Sequence, residues 1–457
     1  MLHKILALIV FLLFTLPAYG QRENTLSTQE KIYGLSLFWQ EVNYNFAFFD
    51  QVPELNWDSM YQVYLTKVTQ TKDDYEYYRL LEKFCALLED GHTNIYMPQR
   101  IDSLIYRSSF GKYRLFLENI DGKAIVTHTT ETTKTAIPVG SEIVEVNNIP
   151  VKEYIRKEVW PYISSSTDYI REDWAITNLL KGPKGESIHI KIKTPKGAIR
   201  PYNLTRALNK DEIHPPFPKW ELASFEWQEN EIAYVSLNSF SDPKIDTILF
   251  SYLPELYKAK GLIIDLRKNG GGSTNIGMEI AKFMTKDSLL YGSRMSTREH
   301  RAAYKAWGAF TPAKDTSNSE WERDAFLYFH NKKWYQFENK PYFNNAPQPR
   351  LIIPTVILIG HGTASAAEDF LIFLDGQEHI TLIGEPTYGS TGQPLFFELP
   401  GGGSARVCTK KDTYPDGREF VGYGIQPDIE VKPSVKDFID QKDPVLEKAI
   451  KFIQEKL

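Results

Sequence analysis

His361-Gly362-Thr363-Ala364-Ser365-Ala366-Ala367-Glu368-Asp369-Phe370 joins two segments of opposite character. Before it, residues 351–359 are almost wholly apolar and rich in β-branched side chains, the pattern of a strand buried on both faces. After it, residues 366–374 predict a helix that stops near Gly376. Ser365 falls at the first turn of that helix, where free backbone N–H groups and the positive end of the dipole can support a developing anion. The same residues spell a capping box, with Ser365 as cap and Glu368 reciprocating from the third helical position. On this segment alone Ser365 has two open roles, cap and nucleophile.

Working outward, the periodicity from residue 231 onward alternates strand and helix. Strands are expected at 232–237, 261–266, 355–359 and 380–383, and helices at 247–256, 274–283 and 366–374. Such alternation implies an α/β layer domain with right-handed crossovers. A polar, aromatic-rich insertion at about 287–350, containing Trp307, Trp321, Trp334 and Tyr335, is too long for a simple connection. It is read as a lid or wall of a cleft, or as surface packing. Residues 30–88 carry apolar side chains at helical spacing, and residues 106–206 break into short alternating segments typical of a small β-rich domain.

The chain opens with Lys4, an apolar run from Ile5 to Leu16 and Pro17-Ala18-Tyr19-Gly20, the pattern of a cleaved secretory signal at residues 1–20. The run is shorter than the roughly 20 residues a membrane span needs. No comparable run follows, so no span is expected after signal removal. No cysteine stands near residue 20 to take a lipid anchor, and the expected location is the periplasm or the extracellular space. A net charge of −5 with scattered Lys and Arg gives no reason to expect a nucleic-acid partner. The two cysteines, Cys85 and Cys408, are too few for a cysteine-rich zinc framework, and whether they pair is not readable from sequence.

A second strand-to-helix corner reads Asp265-Leu266-Arg267-Lys268-Asn269-Gly270-Gly271-Gly272-Ser273. Consecutive glycines imply a sharp turn or a close backbone approach. A phosphate cradle fits poorly, because no Gly-Lys-Ser/Thr ends the loop and Asn275 stands where a dinucleotide fingerprint needs glycine. Gly N–H groups forming an oxyanion hole fit a nearby serine better, with a plain tight turn as the alternative. Among nine histidines, His92 stands out in Leu88-Glu89-Asp90-Gly91-His92-Thr93, where Gly91 would let the backbone turn and present the ring. His361 lies four residues before Ser365 and can also approach it. No His-Glu-x-x-His is present, and neither a metal nor a cofactor is expected.

Four segments in order, Asp90-Gly91-His92-Thr93, residues 261–272, Thr363-Ala364-Ser365-Ala366-Ala367-Glu368 and Gly384-Glu385-Pro386-Thr387-Tyr388-Gly389, resemble the tail-specific, or C-terminal processing, serine peptidases, which include the tricorn core. The resemblance implies an α/β fold with a crotonase-like (ClpP/crotonase-type) core. Its expected organisation is an N-terminal helical region at 21–105 carrying the His motif, a PDZ-like domain at 106–210 and a peptidase core at 211–457. Residues 137–151 match the PDZ pattern, in which an exposed sheet edge accepts an extended peptide. In the C-terminal processing branch a lysine follows the nucleophile in Thr-Phe-Gly-Lys-Gly. Here the matching stretch is Thr387-Tyr388-Gly389-Ser390-Thr391-Gly392, with Ser390 in the lysine position. The resemblance therefore favours the tricorn-like branch.

That branch implies Ser365 as nucleophile, His92 as base, and an oxyanion hole formed by the N–H of Ala366 with one from Gly271 or Gly272. The expected activity is endopeptidase cleavage of peptides or unfolded protein segments. Tricorn-like members also place a glutamate before a Gly-Val-x-Pro-Asp segment, matched here by Gly424-Ile425-Gln426-Pro427-Asp428. Val421 occupies that position and Glu419 stands two residues away, so Ser390 and Glu419 are both candidate auxiliaries. The missing glutamate leaves a rival reading, a weakly active or inactive binding protein of the same fold that carries a peptide or lipophilic ligand. An α/β-hydrolase would need Gly-x-Ser-x-Gly, which residues 363–367 lack.

Overall fold

The computed structural model describes residues 25–457, so the expected signal segment lies outside the described residues. At its centre is a six-stranded sheet in the order Ala223–Gln228, Ile232–Leu237, Gly261–Asp265, Thr355–Ile359, Ile380–Gly384 and Ile429–Glu430. The first pair is antiparallel and the other four pairings are parallel. Every residue of Gly261–Asp265 and Thr355–Ile359 is buried, which is why both read as unbroken apolar runs rather than alternating ones.

Alternate side chains of these strands enter different cores, as the pleat requires. Leu262, Ile264, Ile357 and Ile359 pack with Ile245, Leu249, Ile276 and Phe370 from helices Lys244–Leu256, Thr274–Ala281 and Ala366–Phe373. Ile263, Val356 and Leu358 face the opposite layer and meet Val445, Ala449 and Ile453 of helix Pro444–Gln454. The expected strand at 351–359 begins only at Thr355, directly after Pro354, which has no N–H to give to a ladder.

The N-terminal helices Thr28–Asn45, Trp57–Val68 and Asp74–Cys85 share the first of these cores. A small sheet ties them to the α/β layer, because Asn94–Tyr96 pairs antiparallel with Gly403–Cys408, which pairs with Pro394–Leu399. This pairing carries the His92 turn to the Ser365 corner. A second sheet orders Ile199–Thr205, Ser187–Lys193, Glu142–Val146, Lys123–Thr130 and Ile213–His214, and it has a separate core that includes Val126, Ile143 and Ile190. Its region also contains helix Asp168–Thr177, which the alternating pattern of residues 106–206 does not foretell.

Residues 287–350 fold into short strand pairs and the helices Ala302–Gly308 and Glu320–Phe329. The two helices touch so closely that a Cβ on Gly308 would lie 2.0 Å from the Ala325 carbonyl oxygen. No residue of this segment lines the cavity described below; the segment is instead docked on the rest of the chain, with Arg294–Arg298 pairing antiparallel with Lys410–Thr413 and Arg298 donating to the Asn43 carbonyl at 2.8 Å. Among the described residues no helix is long and apolar enough to cross a membrane.

Candidate active site

Strand Thr355–Ile359 ends at a corner laced to its neighbour. The Thr363 hydroxyl donates to the Leu266 carbonyl at 2.9 Å, and Ala364 N–H donates to the Asn269 carbonyl at 3.0 Å. The chain then reaches Ser365 at φ 55° and ψ −121°, a region that costs a non-glycine residue about 1–3 kcal/mol. Backbone strain of this kind persists only where the surroundings impose it. Here the Glu368 carboxylate accepts the Ser365 N–H at 3.0 Å, and the eight residues of helix Ala366–Phe373 are all buried. The expected capping box forms between Ser365 and Glu368, whose N–H also bonds the Ser365 carbonyl at 2.7 Å, and Ser365 at the same time borders the cavity.

The glycine corner lies against this serine. A Cβ on Gly271 would stand 2.8 Å from the Ser365 Cβ and 2.6 Å from the Ala364 carbonyl oxygen; one on Gly272 would stand 2.2 Å from the Phe240 carbonyl carbon. Close approach, with positive φ at both residues, explains the sequence Gly-Gly-Gly better than a simple turn. Asn269 is fully buried and its Oδ1 accepts the Gly271 N–H at 3.0 Å. Gly271 is therefore already committed. Among the described residues no protein acceptor meets the N–H of Gly272 or of Ala366; Gly272 lines the same cavity as Ser365, and Ala366 follows Ser365 in the chain.

His92 is carried by a tightly held turn. Asp90, almost fully buried, accepts from Thr93 Oγ1 at 2.5 Å through its carboxylate and from Ser164 Oγ at 2.7 Å through its carbonyl. Thr93 Oγ1 also accepts Cys408 N–H at 3.0 Å, fixing the turn to strand Gly403–Cys408. Gly91 is needed for space rather than for a left-handed turn. A Cβ there would lie 2.9 Å from Ser390 Oγ and 2.8 Å from the Tyr388 ring.

The half-buried His92 ring places Nδ1 2.7 Å from Ser390 Oγ, and no hydrogen bond joins it to Ser365 Oγ. Both side chains nevertheless border one cavity of about 1060 Å3, together with Gly272, Tyr388, Phe396 and Arg406. Burial, with the Arg406 and Lys410 cations nearby, pushes the His92 pKa down to about 3. Ser390 is fully buried, and the loop that holds it is pinned by Glu368, which accepts from Thr387 Oγ1 at 2.5 Å and from Gly389 N–H at 2.8 Å. Burial pushes Glu368 up to about 8 against the pull of these donors.

Other expected residues lie elsewhere. Glu419 pairs with Lys411 at 2.9 Å at the surface and does not border the cavity, so it is not the partner of His92. His361 turns toward Asp173, with Nδ1 to Oδ2 at 2.6 Å, and stacks on Tyr169. Burial lowers its proton affinity, but the Asp173 hydrogen bond and charge outweigh that and raise it. Cys85 and Cys408 are buried free thiols. Asp173, Trp174 and Arg406 border the cavity without any local sequence signal that marks them.

A strained serine at a buried strand-to-helix corner thus shares one cavity with a histidine, the residue types that serine hydrolases combine. Residues 231–431 match the model of peptidase family S41. It is similar to a carboxyl-terminal-processing protease of Picosynechococcus sp., with 24% identity over 427 residues, covering 92% of this chain and 88% of that protein. The carboxy-terminal processing protease CtpA of Bacillus subtilis is 26% identical over 262 residues, 57% of this chain and 45% of that protein. Among solved structures, mature CPAF complexed with lactacystin superposes with a TM-score of 0.66 at 14% identity, covering 93% of this chain and 98% of that one, which shows a shared fold.

Proposed function

We propose that Ser365 is the nucleophile of an endopeptidase acting on peptides or unfolded protein segments, with His92 as its base. The observation that carries this reading is the meeting of a strained Ser365 and His92 in one cavity of peptide-accommodating size. The mechanism uses the neutral tautomer in which Nδ1 donates to Ser390 Oγ, one of the two senses open to this contact, so that Nε2 is the proton acceptor.

Ser365 Oγ attacks the scissile carbonyl while His92 Nε2 takes its proton, and the tetrahedral oxyanion sits against the Gly272 and Ala366 N–H groups. Nε2 then returns the proton to the leaving amine, and water repeats the sequence on the acyl-enzyme. Ser390 holds the ring, and Glu368 holds both the Ser365 backbone and the loop of Ser390. This is base catalysis by histidine, as the tricorn-like resemblance implies, with a hydroxyl where a carboxylate orienter is usual.

Residues 106–210 are read as a PDZ-like domain whose edge strand accepts an extended segment of substrate. The apolar run of residues 5–16 supports export to the periplasm or beyond. The test is degradation of an unfolded, disulfide-reduced protein by the wild type and Ser365→Ala. Fragments from the first and none from the second are expected; equal fragmentation by both removes Ser365 from the chemistry.

A further inference from the structure

Arg406 makes no ion pair among the described residues, although its charge is felt by the buried Asp90 and its guanidinium lies 5.9 Å from the centre of the Tyr96 ring. It projects from strand Gly403–Cys408 and borders the cavity on the same side as His92. Its Nε donates to Asn94 Oδ1 at 2.7 Å and one terminal nitrogen donates to the Gly91 carbonyl at 3.3 Å. Both acceptors are neutral. Among the described residues no carboxylate forms an ion pair with it, whereas the acidic member of the cavity wall, Asp173, is taken by His361 at 2.6 Å. The guanidinium is thus anchored at one edge by two protein acceptors, with its other terminal N–H groups uncommitted.

The wall beside Arg406 is apolar. Phe396, 60% exposed, and Pro394 come from the neighbouring strand Pro394–Leu399, and Tyr388 and Trp174 line the same cavity. A half-buried cation with apolar flanks, oriented by fixed hydrogen bonds, matches a carboxylate better than any other peptide group, because planar N–H donors meet two oxygens at once. Low local polarity strengthens that contact.

We propose that Arg406 is a specificity determinant of this site, binding a carboxylate of the peptide substrate next to the bond that Ser365 attacks. The carboxylate is either an acidic side chain or the free C-terminus. This inference rests on the Ser365 peptidase reading. It has a chemical consequence: a substrate carboxylate on Arg406 offsets one of the two cations that suppress protonation of His92, so binding strengthens the base.

The test uses the full chain carrying Ser365→Ala, which binds without turnover, and three fluorescent peptides of one apolar sequence. One is amidated and neutral, one amidated with a central glutamate, and one neutral with a free C-terminus. Fluorescence anisotropy is expected to show at least one carboxylate peptide binding about tenfold or more tighter than the neutral amide, and Arg406→Gln to erase that difference. Which peptide gains identifies the source of the carboxylate. Arg406→Lys should restore part of the preference. Because the ratio between peptides is read, a uniform weakening from the lost Gly91 contact leaves it unmoved. Equal binding of all three peptides, or a preference that survives Arg406→Gln, overturns the inference. Failure of wild-type protein to cleave any of them, with carboxylate preference intact, overturns the peptidase reading instead.

Discussion

His92 Nδ1 and Ser390 Oγ lie 2.7 Å apart although 298 residues separate them in the chain. The contact gives the ring one orientation, and His92 shares a cavity with Ser365. In the proposed mechanism a neutral hydroxyl orients the ring but does not offset the positive charge that forms on it in the transition state, so Ser390 is proposed as a positioning residue for the base.

Replacing Ser390 by alanine frees the ring. The expected result is a fall in kcat of roughly tenfold to a hundredfold, within the range general-base catalysis supplies, with KM little changed. Ser390→Thr, which keeps the hydroxyl, should recover part of the loss. A change confined to KM would place Ser390 in substrate binding.

Gly271→Ala puts a methyl group 2.8 Å from Ser365 Cβ at a residue whose φ is 91°. Loss of roughly 1–3 kcal/mol of stability and a steep loss of peptidase activity are expected, since the nucleophile must move. Thermal unfolding and peptide hydrolysis read the two effects. Full activity in a folded variant contradicts the proposed closeness of the two corners.

The pH dependence of catalysis follows from His92. Its pKa is lowered from 6.5 to about 3, so the base remains neutral well into the acidic range. As pH falls through 6.5, kcat/KM should hold rather than drop, and a loss centred near 6.5 would mean an unperturbed base. Stability moves differently. Between about 6.5 and 3 the unfolded chain binds the proton that the folded ring refuses, so this residue's contribution is present above 6.5 and declines as pH falls through that window.

Glu368 acts with the opposite sign. Its pKa is raised from 4.5 to about 8, so the folded state holds a proton that the unfolded state has released, and stability decreases as pH rises across that window. Urea midpoints measured from pH 4.5 to 8 should fall for the wild type and flatten for Glu368→Gln. Parallel curves for the two proteins would show that Glu368 is ionised in the folded state throughout.

Much of this site was legible because its signals are local. The apolar strand, the helix that begins after Ser365 and the crowded glycines each arise from neighbours in sequence, and the structure keeps them within a few residues of the expected bounds. Long-range choices were not legible. Nothing in the sequence around Asp173 says that it will take His361, nothing around Arg406 says that it will border the cavity, and the Glu419 that stood nearest the expected glutamate goes to Lys411. The glycine corner shows the boundary well. Sequence left Gly271 and Gly272 equivalent, and the Asn269 side chain, by taking one N–H, distinguishes them.

The most direct measurement is intact-mass analysis of the wild type and Ser365→Ala after exposure to a fluorophosphonate, with the modified peptide sequenced. The account predicts one adduct on the wild type, located at Ser365, and none on the variant. An unmodified wild type, or an adduct on another serine that persists in Ser365→Ala, would contradict it.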